Sequence, residues 1–314
     1  MARVLISGGA GFIGSHLAEA LVAQGDDVTV FDNLSTGYEH NLESIRGRIK
    51  FVKGDLRRAD EIAAAVAGQD YVLHEAALAS VPRSVADPVG SHDNNANGTL
   101  NLLVAARDAG VKRVVYAGSS SAYGDTEITP KHEEITPKPL SPYAVAKLVG
   151  EHYCRAFWEV YGLETLTIRY FNVFGERQDP DSPYAAVLPI FLAHLLKGES
   201  PVIDGDGSHT RDFTYVANVV AGNLKALSAP KTQGQTVNVA CGGSYSVLYL
   251  YEQIQKTLGL DIQPKFGPKR PGDVPHSSAN IDRARELIGY EPVMTFEDGL
   301  ARTIQWYQKS LAAI

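Results

Sequence analysis

Val4-Leu5-Ile6-Ser7-Gly8-Gly9-Ala10-Gly11-Phe12-Ile13-Gly14 is an apolar run that breaks into glycines and leads straight into an amphipathic stretch at residues 13–24. The reading is strand, tight turn, helix. Glycines at 8, 11 and 14 suit a sharp turn, a close backbone approach to a diphosphate, and close packing of helix on strand. The helix start then offers unpaired N–H groups and the positive end of its dipole to phosphate. Asp32 ends the next apolar run, 18 residues after Gly14. A carboxylate there accepts hydrogen bonds from both hydroxyls of an adenine ribose and repels a 2′-phosphate. The following Asn33-Leu34-Ser35-Thr36-Gly37 holds no arginine to welcome that phosphate, so NAD is favoured over NADP. Asp55, after the third run, either reaches the adenine edge or caps a helix.

The same unit repeats outward. Strands are expected at residues 4–6, 27–31, 49–52, 71–74, 114–117 and 165–170, with helical patterns at 13–24, 60–67, 98–109 and 142–161. Short Val/Ile/Leu runs between helices predict parallel strands buried on both faces, a doubly wound α/β sheet. After residue 172 the pattern loosens. Segments 177–184, 203–210 and 265–278 are rich in Gly, Pro, Asp and Ser, between helices at 188–196, 216–226, 247–258, 281–287 and 296–309. We therefore expect a dinucleotide-binding domain over 1–171 and a smaller C-terminal α/β substrate lobe over 172–314, interleaved through a strand at 236–240.

Composition narrows the class. Of 314 residues 44% are hydrophobic and 21% charged, which excludes a disordered, collagen-like or coiled-coil chain. A net charge of −7 gives a nucleic-acid backbone no basic face. Cys154 and Cys241 are too few for a disulfide framework or a cysteine-rich zinc site, and no metal is expected. No apolar run approaches the about 20 residues that span a bilayer. The expectation is a soluble cytoplasmic protein without a membrane or nucleic-acid partner.

Ser141-Pro142-Tyr143-Ala144-Val145-Ala146-Lys147 carries the chemistry. Ser141 suits an N-cap and Pro142 the first helical position. Tyr143 and Lys147 then stand four apart on one helical face. A phenol is a poor base at neutral pH, with a reference pKa near ~10. A neighbouring ammonium and a cationic nicotinamide both favour its phenolate. Ser119-Ser120-Ser121 follows the run at 114–118, at the strand end where open α/β sheets bind ligands. A Ser119 hydroxyl there can share a substrate proton with Tyr143.

With these elements placed, the chain resembles the extended short-chain dehydrogenase/reductase superfamily, in particular its nucleotide-sugar 4-epimerases. The motifs include residues 8–17, His74-Glu75-Ala76-Ala77, Asp93-Asn94-Asn95-Ala96-Asn97-Gly98-Thr99, Arg169-Tyr170-Phe171-Asn172, Arg211-Asp212-Phe213 and Arg270-Pro271-Gly272-Asp273. The resemblance implies a Rossmann fold and a retained, recycled NAD. It places cofactor contacts at Gly8, Gly11, Phe12, Ile13, Gly14, Asp32, Asn33, Ser35, Thr36, Gly37, Asp55 and Leu56. Further contacts are implied at Ala76, Ala77, Asn94, Tyr143, Lys147 and Phe171. The catalytic set is Tyr143, Lys147 and Ser119.

The resemblance also sorts the substrate. Dehydratases and UDP-glucuronate decarboxylases usually carry Thr-Asp-Glu or Thr-Ser-Glu at the serine run, because their reactions need another proton donor. C4 inversion of a UDP-hexose through a 4-keto sugar needs one alkoxide proton and one hydride. Substrate contacts are implied at Ser80, Ser119, Ser120, Tyr143, Asn172, Ala186, Val187, Arg211, Arg270, Asp273 and Ser277. Arg211 and Arg270 would clamp the diphosphate, while Asp273 holds uridine or ribose or orients Arg270. Ser277 stands where glucose-only epimerases of enteric bacteria carry tyrosine, leaving room for a 2-acetamido group. Hence UDP-GlcNAc and UDP-GalNAc are the expected substrates. Ala79 stands where acetyl-preferring enzymes carry glycine, which keeps the UDP-Glc/UDP-Gal pair in view. An idle NAD-binding regulator is the rival from another class, though such proteins lose the Tyr/Lys pair. A homodimer through helices 98–109 and 142–161 is implied by the resemblance alone.

Overall fold

The structure, a computed structural model, describes residues 1–179, 186–268 and 276–312. Six strands alternate with helices in the first half: β1 (Arg3–Ser7), β2 (Asp27–Asp32), β3 (Ile49–Lys53), β4 (Tyr71–His74), β5 (Arg113–Ser119) and β6 (Glu164–Tyr170). The helices are α1 (Phe12–Gln24), α2 (Ala59–Val66), α3 (Val81–Ala86), α4 (Pro88–His92), α5 (Gly98–Asp108) and α6 (Pro142–Tyr161). A seventh strand, Gln235–Val239, joins the edge beside β6, pairing Val237 with Ile168. The order is Gln235–Val239, β6, β5, β4, β1, β2, β3, and every neighbouring pair is parallel.

Strand order reverses between β1 and β4, whose connections run in opposite directions across the sheet, β1 to β2 and β4 to β5. Such a switch point opens a crevice beyond the carboxyl ends of the strands. Alternation along β1 shows why both faces are covered. Val4 and Ile6 join one core with Leu17, Leu21, Val28 and Val219, while Leu5 joins the other with Phe31, Leu102 and Val114. Burying each such side chain contributes about 1.5–3 kcal/mol.

Beyond residue 171 a third core gathers Phe174, Leu192, Phe213, Phe296 and Ile304. Three small strand groups tie this lobe together. Val173–Phe174 pairs with Thr214–Tyr215, Val202–Asp204 with Lys265–Gly267, and Thr210–Arg211 lies between Tyr245–Ser246 and His276–Ser277. Helix Val216–Ser228 belongs to this half of the chain yet packs on α1. Guanidinium Nη1 of Arg113 on β5 donates to the carbonyls of Ala226 and Ala229 at 2.8 and 2.7 Å, fastening the same helix end.

Two stretches differ from the expectation. Residues 39–48, read as featureless, form a 3-10 segment, Glu39–Arg48. Residues 81–97, also without an expected element, form α3, α4 and a π turn, Asp93–Asn97. Ser80 and Asp87 cap α3 and α4 by accepting the N–H of Arg83 at 3.1 Å and of Gly90 at 2.9 Å. The capped helices are too short for an apolar period to show.

Candidate active site

The glycine turn builds one wall of the crevice. Gly8 takes φ +73° and its N–H donates to Phe31 O at 2.8 Å, bending the chain at the end of β1. A Cβ at Gly14 would lie 2.2 Å from Gly8 O and 2.7 Å from Gly9 Cα. A Cβ on Gly8 would sit 2.6 Å from the Ala76 backbone. Only hydrogen fits at both places, so α1 closes on the turn and the turn closes on the end of β4. No side chain caps the amino end of α1, where Gly11 holds the N-cap position. That end is left to an anion.

The crevice has a volume of about 300 Å³. Its walls include Gly8, Gly11, Phe12, Ile13, Gly14, Asp32, Asn33, Ser35, Thr36, Asp55, Leu56, Ala76, Ala77 and Asn94 of the expected cofactor set. Ser80, expected on the substrate side, lines it too, as do Phe31, Gly54, Glu75, Leu78, Ala79 and Arg83. Asp32 is buried; its oxygens accept the N–H of Ala10 at 3.0 Å and of Leu34 at 2.8 Å. Burial raises its pKa and these two bonds pull it back. The glycine cradle, the uncapped helix and the Asp32 carboxylate are the donors and acceptors an NAD molecule requires.

Gly37, Phe171 and Asp55 of the expected set make further contacts within the protein. Gly37 does not line the crevice; it backs the turn, where a Cβ would meet Ala10 C at 2.8 Å. Phe171 is fully buried in the core with its ring 6.1 Å from Tyr123, because an apolar residue at a strand end packs inward as readily as it faces a ligand. Asp55 is not a helix cap, since α2 begins after Arg58. Its carboxylate instead accepts from Arg57 Nη2 at 2.6 Å and from Asn33 Nδ2 at 3.2 Å, and Arg57 holds its pKa down at about 2.

The proton-transfer group sits on α6. Ser141 accepts the Ala144 N–H at 3.2 Å and Pro142 opens the helix, while Gly162 ends it at φ +70°. Gly150 lets α6 approach β5: a Cβ there would lie 2.3 Å from the Tyr116 hydroxyl. One turn earlier, Lys147 is buried and donates from Nζ to Ala117 O at 2.9 Å. Burial brings its pKa down to about 8, opposed by the Glu75 carboxylate and Cys154. The Ser119 hydroxyl hydrogen-bonds Ser121 Oγ at 2.8 Å and acts on the Tyr143 phenol.

Burial raises the phenol's pKa, and the Ser119 hydroxyl opposes it. The Lys147 ammonium, one helical turn on, gives one N–H to the Ala117 carbonyl and keeps its charge and two further donors. Glu75, unassigned from sequence, accepts from Tyr170 Oη at 2.8 Å, and Tyr170 Oη takes a hydrogen bond from Asn223 Nδ2 at 2.8 Å. Burial pushes the Glu75 carboxyl up to about 7, against the hydrogen bond from Tyr170 and the Lys147 charge.

The lobe gathers three of the expected substrate residues. Arg211 and Ser277 are paired across parallel strands, with Asp212 N–H donating to Ser277 O at 2.8 Å. Asn172, at φ +34°, accepts the Thr214 N–H at 3.2 Å. Asp212 is fully buried and holds Cys241 and Gly242 N–H at 3.1 and 2.9 Å, pinning the loop that backs this ridge. Ser120 opens a short 3-10 turn after β5. Ala186 is exposed at the start of helix Val187–Leu196, and Val187 packs on the lobe core. Arg270 and Asp273 lie outside the described residues.

A parallel sheet with a glycine cradle at its switch point, and a Tyr/Lys pair on the helix after β5, defines an enzyme of the extended short-chain dehydrogenase/reductase class. The chain belongs to the NAD dependent epimerase/dehydratase family, whose model matches residues 4–240. It is 39% identical over 310 residues to the UDP-glucose 4-epimerase of Mycolicibacterium smegmatis, covering 98% of each chain. A UDP-glucuronic acid decarboxylase of Danio rerio is 33% identical, covering 98% of this chain and 73% of the relative. Among solved structures, the UDP-N-acetylglucosamine 4-epimerase from Methanobrevibacter ruminantium M1, in complex with UDP-N-acetylmuramic acid, superposes with a TM-score of 0.94. That match has 41% identity and covers 98% of this chain and 99% of the other. The protein is thus an NAD-dependent enzyme of nucleotide sugars. Among the described residues no helix is long and apolar enough to cross a membrane.

Proposed function

We infer that the protein inverts C4 of UDP-hexoses, taking UDP-GlcNAc and UDP-GalNAc, with room for UDP-Glc and UDP-Gal. The observation that carries this reading is the Ser119–Ser121 hydroxyl pair, held at 2.8 Å at the end of β5. Where a dehydratase or decarboxylase would present a carboxylic acid, this chain presents a second hydroxyl. A proton can be taken and returned there, and residues 119–121 offer no carboxylic acid for elimination.

NAD, when bound, supplies the hydride acceptor that also gives the hydride back. Gly8, Gly11 and Gly14 would hold its diphosphate and Asp32 its adenine ribose. Tyr143, as phenolate, takes the proton of the 4-hydroxyl and later returns it. Ser119 orients that hydroxyl, and its own Oγ is fixed by accepting the Ser121 N–H at 3.2 Å. Lys147 fixes α6 against β5 and adds positive charge to the same side. Between the two half-reactions the keto sugar must present its other face, so binding energy belongs in the UDP moiety. Arg211 serves this, since a guanidinium fork fits phosphate oxygens.

Acetamido selectivity rests on Ser277, a small residue only 8% exposed and paired with Arg211 across the strands. Ala79 in the crevice wall favours the second reading, a UDP-Glc/UDP-Gal enzyme, because one methyl group in a pocket shifts preference by about 1–3 kcal/mol. The test assays all four UDP-sugars with purified enzyme and no added NAD. Turnover of the acetylated pair, lost in Ser277→Tyr while the other pair survives, is the expected result. Turnover of UDP-Glc and UDP-Gal alone would sink the acetamido reading.

A further inference from the structure

Arg83 stands out among the charged groups of the crevice. Four charged side chains line it: Asp32, Asp55, Glu75 and Arg83. Each carboxylate is already provided for. Asp32 accepts two backbone N–H groups, Asp55 is paired with Arg57 at 2.6 Å, and Glu75 accepts from Tyr170 at 2.8 Å. Arg83 differs. Its backbone N–H is used by the Ser80 cap at 3.1 Å, yet its guanidinium makes no hydrogen bond or ion pair among the described residues. It is half-buried in the crevice wall beside Ser80. A guanidinium held there without a counter-charge is placed for one that arrives with a ligand.

The ligands supply that charge. A dinucleotide and a sugar nucleotide each carry a diphosphate, and the glycine turn meets it only with neutral N–H groups and the partial charge of a helix end. A full positive charge with a planar fork of donors completes such a site. We propose that Arg83 is a diphosphate ligand of this crevice, a fixed cation that the glycine turn itself lacks. The inference rests on the NAD-dependent UDP-sugar reading. The two diphosphates share one chemistry, and experiment separates them.

The test uses the full chain as purified, with Arg83→Gln and Arg83→Lys. Retained NAD is measured by mass spectrometry and by its dissociation rate, and UDP affinity is titrated on NAD-loaded protein. Because the Arg83 guanidinium makes no polar bond among the described residues, and its backbone N–H to Ser80 survives substitution, the urea midpoint of Arg83→Gln should match the wild type. Loss of a charge-assisted bond weakens binding about ten- to hundredfold. Faster NAD loss with unchanged UDP affinity assigns Arg83 to the cofactor; weaker UDP with unchanged NAD assigns it to the substrate. Arg83→Lys should recover part of either loss. Unchanged NAD and UDP binding in Arg83→Gln overturns the proposal. If the wild type itself holds neither NAD nor UDP, the functional reading has failed instead.

Discussion

Replacing Gly14 by alanine tests the cradle directly, and its sign follows from two opposed terms. Alanine favours a helix over glycine by about 0.8–1 kcal/mol. Against this, the new Cβ would stand 2.2 Å from Gly8 O and 2.7 Å from Gly9 Cα, both backbone atoms with no rotamer to yield. Restoring an ordinary contact of roughly 3.4 Å moves the start of α1 by on the order of 1 Å, an overpacking that costs about 1–3 kcal/mol or more. Overpacking wins. Gly47 is the matched control: it lies in the 3-10 segment with no atom within 4 Å of an added Cβ. Gly47→Ala should be neutral or stabilising by up to about 1 kcal/mol. Urea unfolding and nucleotide content are measured on both. We expect Gly14→Ala to unfold earlier and to purify with little NAD, while Gly47→Ala keeps both properties. A Gly14→Ala protein with wild-type stability and a full complement of NAD would refute the reasoning.

Tyr143→Phe should lower kcat by about 10²–10⁴-fold with UDP binding kept, measured by turnover and by titration; equal loss of both would make Tyr143 structural. Glu151→Gln should cost about 3–5 kcal/mol in urea unfolding, because Arg169, 2% exposed, would lose the charge it meets at 2.6 Å. A cost below about 1 kcal/mol would show that the pair is dispensable. Glu75→Gln tests a pH linkage. The Glu75 carboxyl is raised from 4.5 to about 7 in the folded protein, so its stabilising contribution is full below pH 4.5 and is lost as pH rises through 7. The variant should therefore match the wild type near pH 4.5 and exceed it by on the order of 3 kcal/mol at pH 8.5; a difference that does not vary with pH would contradict the shift.

The sheet was legible because buried parallel strands are short apolar runs, and those of β1, β2, β4 and β6 fall within a residue or two of their expected positions. The cofactor turn was legible because glycine is demanded there by contact and not by preference. Tyr143 and Lys147 were legible from Ser141 and Pro142, which fix where α6 begins. What escaped was of another kind. Pro82 and Pro88 each sit at the first turn of a short helix, where a missing N–H costs nothing, and neither helix is long enough to show an apolar period. Glu75 follows β4 within the His74–Ala77 motif, whose residues alone give its carboxylate no partner. Its raised pKa comes from burial, opposed by Tyr170 and Lys147, which are distant in sequence and act on it only through the order of the strands. The partner of the Lys147 ammonium, a carbonyl of β5, belongs to the backbone and leaves no trace in side-chain spelling.

The seventh strand of the main sheet, Gln235–Val239, is drawn from beyond residue 171. Cutting the gene at that point would not release a self-sufficient cofactor module. It would strip β6 of its outer neighbour along Leu166–Tyr170 and lay bare a row of amide and carbonyl groups. Uncovered rims of this sort recruit another chain, so the half-length product would be prone to clump on expression, and engineering of this scaffold has to carry both halves together.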